Sequence, residues 1–189
     1  MSNESLHHRR SIRIPGYDYS GSGAYFITVV THQRACVFGR IVDGSLQLSR
    51  QGGIAEECWR QIAAHFPSVE LGVYVVMPNH VHGIIVLNDR ADASSARRGT
   101  TWRAPTQDGR SLERFGRPRS GSLATIVRQY KSSVTRRIDE AIGGSRRVWK
   151  RNYYEHVIRD DEDWNRIHLY IESNAANWEG DEENPARPG

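Results

Sequence analysis

Two histidines separated by one residue, His80 and His82, and a tyrosine much later in the chain, Tyr170, have types and spacings that could carry chemistry. Alternate residues of a β-strand point to the same side. A strand beginning at His80 would therefore set both imidazoles side by side and turn Val81 into the core. Two adjacent imidazoles are natural ligands for one divalent ion. The tripeptide alone is weak, because exposed strand histidines can share that spacing. Its position directly after Met77-Pro78-Asn79 adds weight, placing the pair at the mouth of a sheet rather than in its middle. Tyr170 and Asn174, at i and i+4, fall on one flank of a helix, offset from the apolar stripe Trp164, Ile167 and Ile171. A tyrosine off that stripe has no core role to explain it. The carboxamide oxygen of Asn174 could complete an ion's coordination and fix it beside the phenol. Spacing alone leaves the alternative equally open: Tyr170 packs at the edge of the core and Asn174 helps to end the helix.

The elements that must position these residues follow from periodicity. Tyr25 to Thr31 is β-branched and aromatic, which predicts a strand. Val37 to Val42 and Leu46 to Leu48 flank Asp43-Gly44, a strong hairpin-turn signal. Ile54, Cys58, Trp59, Ile62 and Phe66 recur with helical spacing and predict an amphipathic helix that ends before Pro67. Val69 to Met77 and His80 to Leu87 predict two further strands. From Asn88 to about Ser120 the periodicity vanishes. A loop that long favours function or disorder over plain connection. Ser122 is a candidate cap for a helix with Leu123, Ile126, Val127, Tyr130, Val134 and Ile138 on its apolar face, ended by Gly143-Gly144. Tyr153 to Ile158 predicts a fourth long strand, and the acidic run Asp160 to Asp163 suits the first turn of the last helix. Hairpin aside, the order is βαββαβ plus a C-terminal helix: an α+β, ferredoxin-like antiparallel sheet with helices on one face.

Composition narrows the class. The chain has 189 residues, 38% of them hydrophobic, and a net charge of +4. No apolar run approaches the ~20 residues that cross a bilayer, and the N-terminus lacks the apolar centre of a secretory signal. A soluble cytoplasmic protein with no membrane partner is expected. Cys36 and Cys58 lack zinc-site spacing and are too few for a disulfide scaffold. Between Arg97 and Arg119 lie seven arginines against Asp108 and Glu113, either a phosphate-binding element or a solvated loop. Glu179 to Gly189 carries four acidic side chains and one arginine. The expected organisation is a single domain over 1–178, with 89–120 a flexible arginine-rich insertion and 179–189 an acidic disordered tail.

The stretch VVMPNHVHGIIVL resembles the histidine–hydrophobic–histidine element of the HUH single-tyrosine nucleases. WKRNYYEHVIRDDEDWNRIHLYIESNAANW resembles the C-terminal block of the REP-associated tyrosine transposases, and YFITVVTHQRACVFG fits that family's opening strand. The resemblance spans the chain apart from its first ~15 residues, the 88–120 loop and the acidic tail, with the motifs in matching order on matching elements. It implies that His80 and His82 bind a divalent ion, Mg2+ or Mn2+, that Asn174 helps to hold it, and that Tyr170 is the nucleophile. It further implies a transposase-like, metal-dependent endonuclease and strand transferase on single-stranded DNA, working through a 5′-phosphotyrosine. Hairpin-forming repetitive extragenic palindromes would be the substrate. Ala175 departs from the proline often found after that asparagine, which bears on the helix end more than on the chemistry.

The alternative is a non-catalytic hairpin-binding protein derived from such a transposase. A replication initiator or plasmid relaxase fits less well, because the chain is short and those proteins place the tyrosine and further histidines differently. Both a monomer and a homodimer are compatible with the sequence. Arg128, Lys131, Arg136, Arg137, Lys150 and Arg151 are candidate phosphate contacts, though a solvated basic face explains each equally well. His156 is a weaker candidate third ligand than a structural residue or DNA contact. Tyr130 reads as core, and Tyr153 and Tyr154 as strand packing with stacking on bases as a lesser role.

Overall fold

The computed structural model describes residues 22–88 and 121–187. The arginine-rich insertion lies outside the described residues. Four strands form one antiparallel sheet: β1 (Gly23–Val30), β4 (Val69–Val76), β5 (His80–Leu87) and β6 (Tyr154–Ile158), in the order β4-β5-β1-β6. Between β1 and β4 come the hairpin β2 (Gly39–Val42) and β3 (Ser45–Leu48) and the helices α1 (Arg50–Arg60) and α2 (Ile62–His65). Helix α3 (Leu123–Ile142) precedes β6, and α4 (Asp161–Ser173) follows it. The order and topology are those of the ferredoxin-like βαββαβ plan, with the last helix added.

β1 and β5 are buried along their whole length because both faces of the sheet are covered. On one face, Tyr25, Ile27, Val29, Val81 and Ile85 pack against Trp59 and Cys58 of α1 and Ile126, Tyr130 and Val134 of α3. On the other, Ala24, Phe26, Ile84 and Val86 meet Ile167 and Ile171 of α4, with Trp164 beside them. α1 and α3 thus share one face, and α4 alone closes the other. Covering both faces takes the apolar side chains of β1 and β5 out of water, which stabilises by about 25 cal/mol per Å2 of apolar area.

Local chemistry sets the boundaries. Asp43 and Gly44 both have positive φ, 50° and 71°, as a two-residue hairpin turn requires. Ser49, Ser122 and Asp160 cap α1, α3 and α4 through side-chain oxygens that accept from Gly52, Thr125 and Asp163 N–H groups. The single helix expected around residues 54–66 runs as α1 and α2, with Gln61 between them.

Register decides which face carries the histidines. Thr28 pairs with His82 and Val30 with His80 across β1 and β5. Phe26, Thr28, His80 and His82 therefore point to the α4 side, while Val81 is fully buried on the α1/α3 side. Gly83 is what lets α1 close on β5 there: a Cβ would stand 2.2 Å from Cζ2 of Trp59.

One expectation is corrected. Residues 179–187, read as part of a disordered acidic tail, are folded back onto the sheet, with Asp181 and Asn184 buried. Asn79 Nδ2 donates to the Glu183 carbonyl at 2.6 Å, Arg34 Nε donates to the Glu183 carboxylate at 2.8 Å, and Asn184 Nδ2 donates to the Trp178 carbonyl at 2.9 Å. Two of the four acidic side chains find donors: Asp181 accepts from Asn174 Nδ2 and the Glu183 N–H, and Glu183 from Arg34, while Glu179 and Glu182 stay exposed.

Candidate active site

His80 and His82 stand at the start of β5 with ring centroids 4.3 Å apart, fully buried and 3% exposed respectively. The turn before them is tied down: Thr31 N–H donates to the Asn79 carbonyl, Phe38 N–H to the Pro78 carbonyl and Met77 N–H to the His80 carbonyl, all at 2.8–2.9 Å. Asn79 then fixes the first imidazole. Its Nδ2 donates to the carbonyls of Arg34 and Glu183, so its Oδ1 must be the acceptor facing His80 Nδ1 at 2.8 Å. Nδ1 consequently carries the proton, and Nε2 presents a bare lone pair. The second imidazole is held by Thr28, whose Oγ1 lies 2.8 Å from His82 Nδ1.

Burial holds both rings in the neutral form. It pushes His80 down to about 4, against smaller upward pulls from Asp181 and the Asn174 side chain. His82 is pushed well below its ordinary value by burial and by the proximity of His80.

Tyr170 reaches the pair from α4. Its hydroxyl is 3.1 Å from His82 Nε2, and its ring stands edge-on to Phe26 at 6.0 Å. The residue is 45% exposed, so one side of the ring faces solvent. Burial of the phenol and the nearby Asp181 carboxylate raise it to about 12, the Asn174 side chain pulling the other way.

Asn174 sits at the C-terminal end of α4, buried, with Nδ2 donating to Asp181 Oδ2 at 3.1 Å. Its Oδ1 has no hydrogen-bond partner, nor has His80 Nε2, and both atoms are inaccessible to solvent. Asp181 Oδ2 lies 3.9 Å from His80 Nε2. Donor atoms of His80, His82 and Asp181 all lie within 4.8 Å of one another. His80 Nε2 and the Asn174 oxygen are thus buried lone pairs with no proton to satisfy them, beside the Asp181 carboxylate and the second imidazole. With these chemistries, the group His80, His82 and Asp181 could hold a metal ion.

Sequence reasoning missed three members of this cluster. Asp181 belongs to a tail whose charge reads as solvation. Asn79 reads only as a break before the strand, and Thr28 only as a β-branched strand residue. The alternation of β1 could have put Thr28 on the histidine face once its pairing was known.

The basic residues proposed for DNA contact are dispersed. Arg137 is engaged by Glu57 and Cys58 of α1, and Arg136 by Glu140. Lys131 donates to the carbonyls of Lys150 and Arg151 at 2.7 and 3.2 Å, and burial lowers it to about 8. Lys150 and Arg151 themselves are exposed beside the end of β1, where Lys150 N–H donates to the Val30 carbonyl. Arg128 is exposed on α3. His156 is away from the ion site: its Nε2 is 2.7 Å from Asp163 Oδ2, joining β6 to the first turn of α4. Tyr130 is core, its hydroxyl donating to the Ala55 carbonyl, and Tyr154 is partly exposed on β6.

The four-stranded βαββαβ sheet with its added C-terminal helix is a fold this chain shares with a solved tyrosine transposase. Among solved structures, a REP-associated tyrosine transposase bound to a REP hairpin is similar over 84% of this chain and 69% of that one. The TM-score is 0.52 and the identity 19%. In sequence, an uncharacterized protein of Haemophilus influenzae (strain Rd) is 37% identical over 183 residues, covering 95% of both chains. The chain belongs to the same family as that Haemophilus protein. No family model matches the sequence. Among the described residues no helix is long and apolar enough to cross a membrane.

Proposed function

We propose that the protein is a metal-dependent endonuclease and strand transferase acting on single-stranded or hairpin DNA, with Tyr170 as nucleophile. The observation that carries this reading is the Tyr170 hydroxyl 3.1 Å from His82 Nε2, at the rim of a buried cluster of groups able to ligate a metal ion. A core-edge tyrosine would not need its hydroxyl aimed at such a cluster.

A divalent ion, Mg2+ or Mn2+, held by His80, His82, Asn174 and Asp181 would supply positive charge at the scissile phosphate and polarise a non-bridging oxygen. The chain's own groups do the rest. Thr28 and Asn79 hold the two imidazoles in the orientation a ligand needs. Tyr170 Oη attacks the phosphorus, a P–Oη bond forms as the P–O3′ bond breaks, and the leaving oxygen takes up a proton to become a free 3′-OH. The phenolic proton passes to the solvent that bathes the exposed side of the ring. A phenol at about 12 is almost wholly protonated at neutral pH, so positive charge in the cluster is what would make attack feasible. Because the 5′-phosphotyrosine retains the phosphodiester's energy, a second 3′-OH can attack it, rejoin DNA and release Tyr170.

The substrate class follows the similar transposase, whose structure holds a REP hairpin. Incubating a labelled hairpin carrying a single-stranded flank with the protein and Mn2+ tests the reading. A covalent adduct, absent in Tyr170→Phe and on chelation, is expected. Tight binding with no adduct under any divalent ion would show a hairpin-binding protein instead.

A further inference from the structure

The turn between β1 and β2 carries the only positive-φ non-glycine residues outside the hairpin turn among those described: Gln33 and Arg34, both at φ 55°. Side chains with a Cβ resist that conformation, and a turn that needed only to reverse direction would place glycine there. The surroundings hold it in place. Arg34 N–H donates to the Thr31 carbonyl, Thr31 Oγ1 donates to the Ala35 carbonyl, and Asn79 Nδ2 donates to the Arg34 carbonyl. Backbone in unfavourable regions persists where function requires it and neighbours enforce it. Here it aims an arginine. The Arg34 side chain is 47% exposed, and among the described residues only its Nε is engaged, by the Glu183 carboxylate. Among the described residues neither Nη group has a partner, which suits a forked contact to an anion.

The turn is also one side chain away from the ion site. The Asn79 carboxamide that holds the Arg34 carbonyl is the group whose Oδ1 fixes His80. On its far side Glu183 N–H donates to Asp181 Oδ1 at 2.7 Å, so the carboxylate resting on Arg34 belongs to the segment that supplies Asp181. An anionic oxygen already sits where Arg34 meets the rim of the cluster.

We propose that Arg34 is a phosphate-binding residue that positions the DNA strand next to the scissile phosphate, with a phosphodiester oxygen taking the place of the Glu183 carboxylate. This rests on the proposed function, and it assigns to a strained turn a role that none of the basic residues on α3 fills at the site. Arg34 acts on binding and register; it does not touch the reacting atoms.

The test uses the full chain carrying Tyr170→Phe, in chelator, with fluorescein-labelled oligothymidylate followed by polarisation across a salt series. Arg34→Gln should bind roughly tenfold more weakly at low salt, with the slope of log K against log salt reduced by about 0.7. Arg34→Lys should recover the slope and only part of the affinity. Glu183→Gln, which breaks the same ion pair from the other side, should bind at least as tightly as the parent. Thermal melts of all three check the fold. If Arg34→Gln and Glu183→Gln weaken binding equally, Arg34 merely pins the C-terminal segment and the proposal fails. If Arg34→Gln binds as the parent does, the proposal fails while the proposed function stands. If the parent binds neither the oligothymidylate nor the hairpin with a single-stranded flank, both fall.

Discussion

Replacing Thr28 with valine keeps a β-branched side chain in β1 and removes one hydroxyl, the group 2.8 Å from His82 Nδ1. Thr28 and His82 are both buried, so water cannot replace the lost partner. An orphaned buried polar atom costs about 1–3 kcal/mol, and valine's better fit to a strand offsets a few tenths of that. A net loss of about 1–2 kcal/mol is expected. The larger effect falls on the ion. With Nδ1 unheld, the imidazole loses what fixes its tautomer and ring angle, and removing such a supporting contact weakens metal binding about 10–100-fold. Calorimetric titration with Mn2+ reads the affinity and urea denaturation the stability. Thr135→Val serves as the control, because its hydroxyl donates to the Lys131 carbonyl on α3 and should alter stability without altering Mn2+ affinity. If Thr28→Val lost stability while binding Mn2+ as tightly as the parent, the claim that Thr28 orients a ligand would be wrong.

Other outcomes follow from the same geometry. Asp181→Asn should weaken Mn2+ binding tenfold or more and, by removing a negative charge near the phenol, lower Tyr170 from about 12; ultraviolet titration against Tyr170→Phe reads the second effect. Acid should destabilise the ion-free protein. The folded His80 sits near 4 against about 6.5 in an unfolded chain, so the unfolded state takes up protons first. Stability is then full above about pH 6.5 and falls by roughly 2–3 kcal/mol as pH drops towards 4, with His82 acting in the same direction. Urea midpoints that stay level across that window would contradict this. Gly83→Ala forces a methyl into the Trp59 ring and should destabilise by about 3 kcal/mol, read as a lowered urea midpoint.

Much of this arrangement was legible in the chain. Strand alternation placed His80 and His82 together because β-periodicity is strictly two, and Ser122 and Asp160 marked helix starts because capping chemistry is local. The apolar stripe of α4 was readable for the same reason, and it left Tyr170 off the core face. What could not be read was anything depending on contacts distant in sequence. Thr28 meets His82 only through the β1–β5 register, and Arg34 meets Glu183 across most of the chain. The C-terminal segment misled because a run of acids has the composition of a solvated tail, while its burial depends on donors from Asn79 and Arg34. Likewise, basic residues on α3 looked alike in sequence, yet Arg137 is engaged by α1 and Lys131 by backbone carbonyls.

The central claim is that Tyr170 becomes joined to DNA. The protein would be incubated with hairpin DNA and Mn2+, trapped, digested with nuclease and protease, and the peptides sequenced by mass spectrometry. The account predicts a nucleotide linked through its 5′ phosphate to Tyr170, and to no other tyrosine. A modified Tyr154, or cleaved DNA with no modified tyrosine at all, would contradict it.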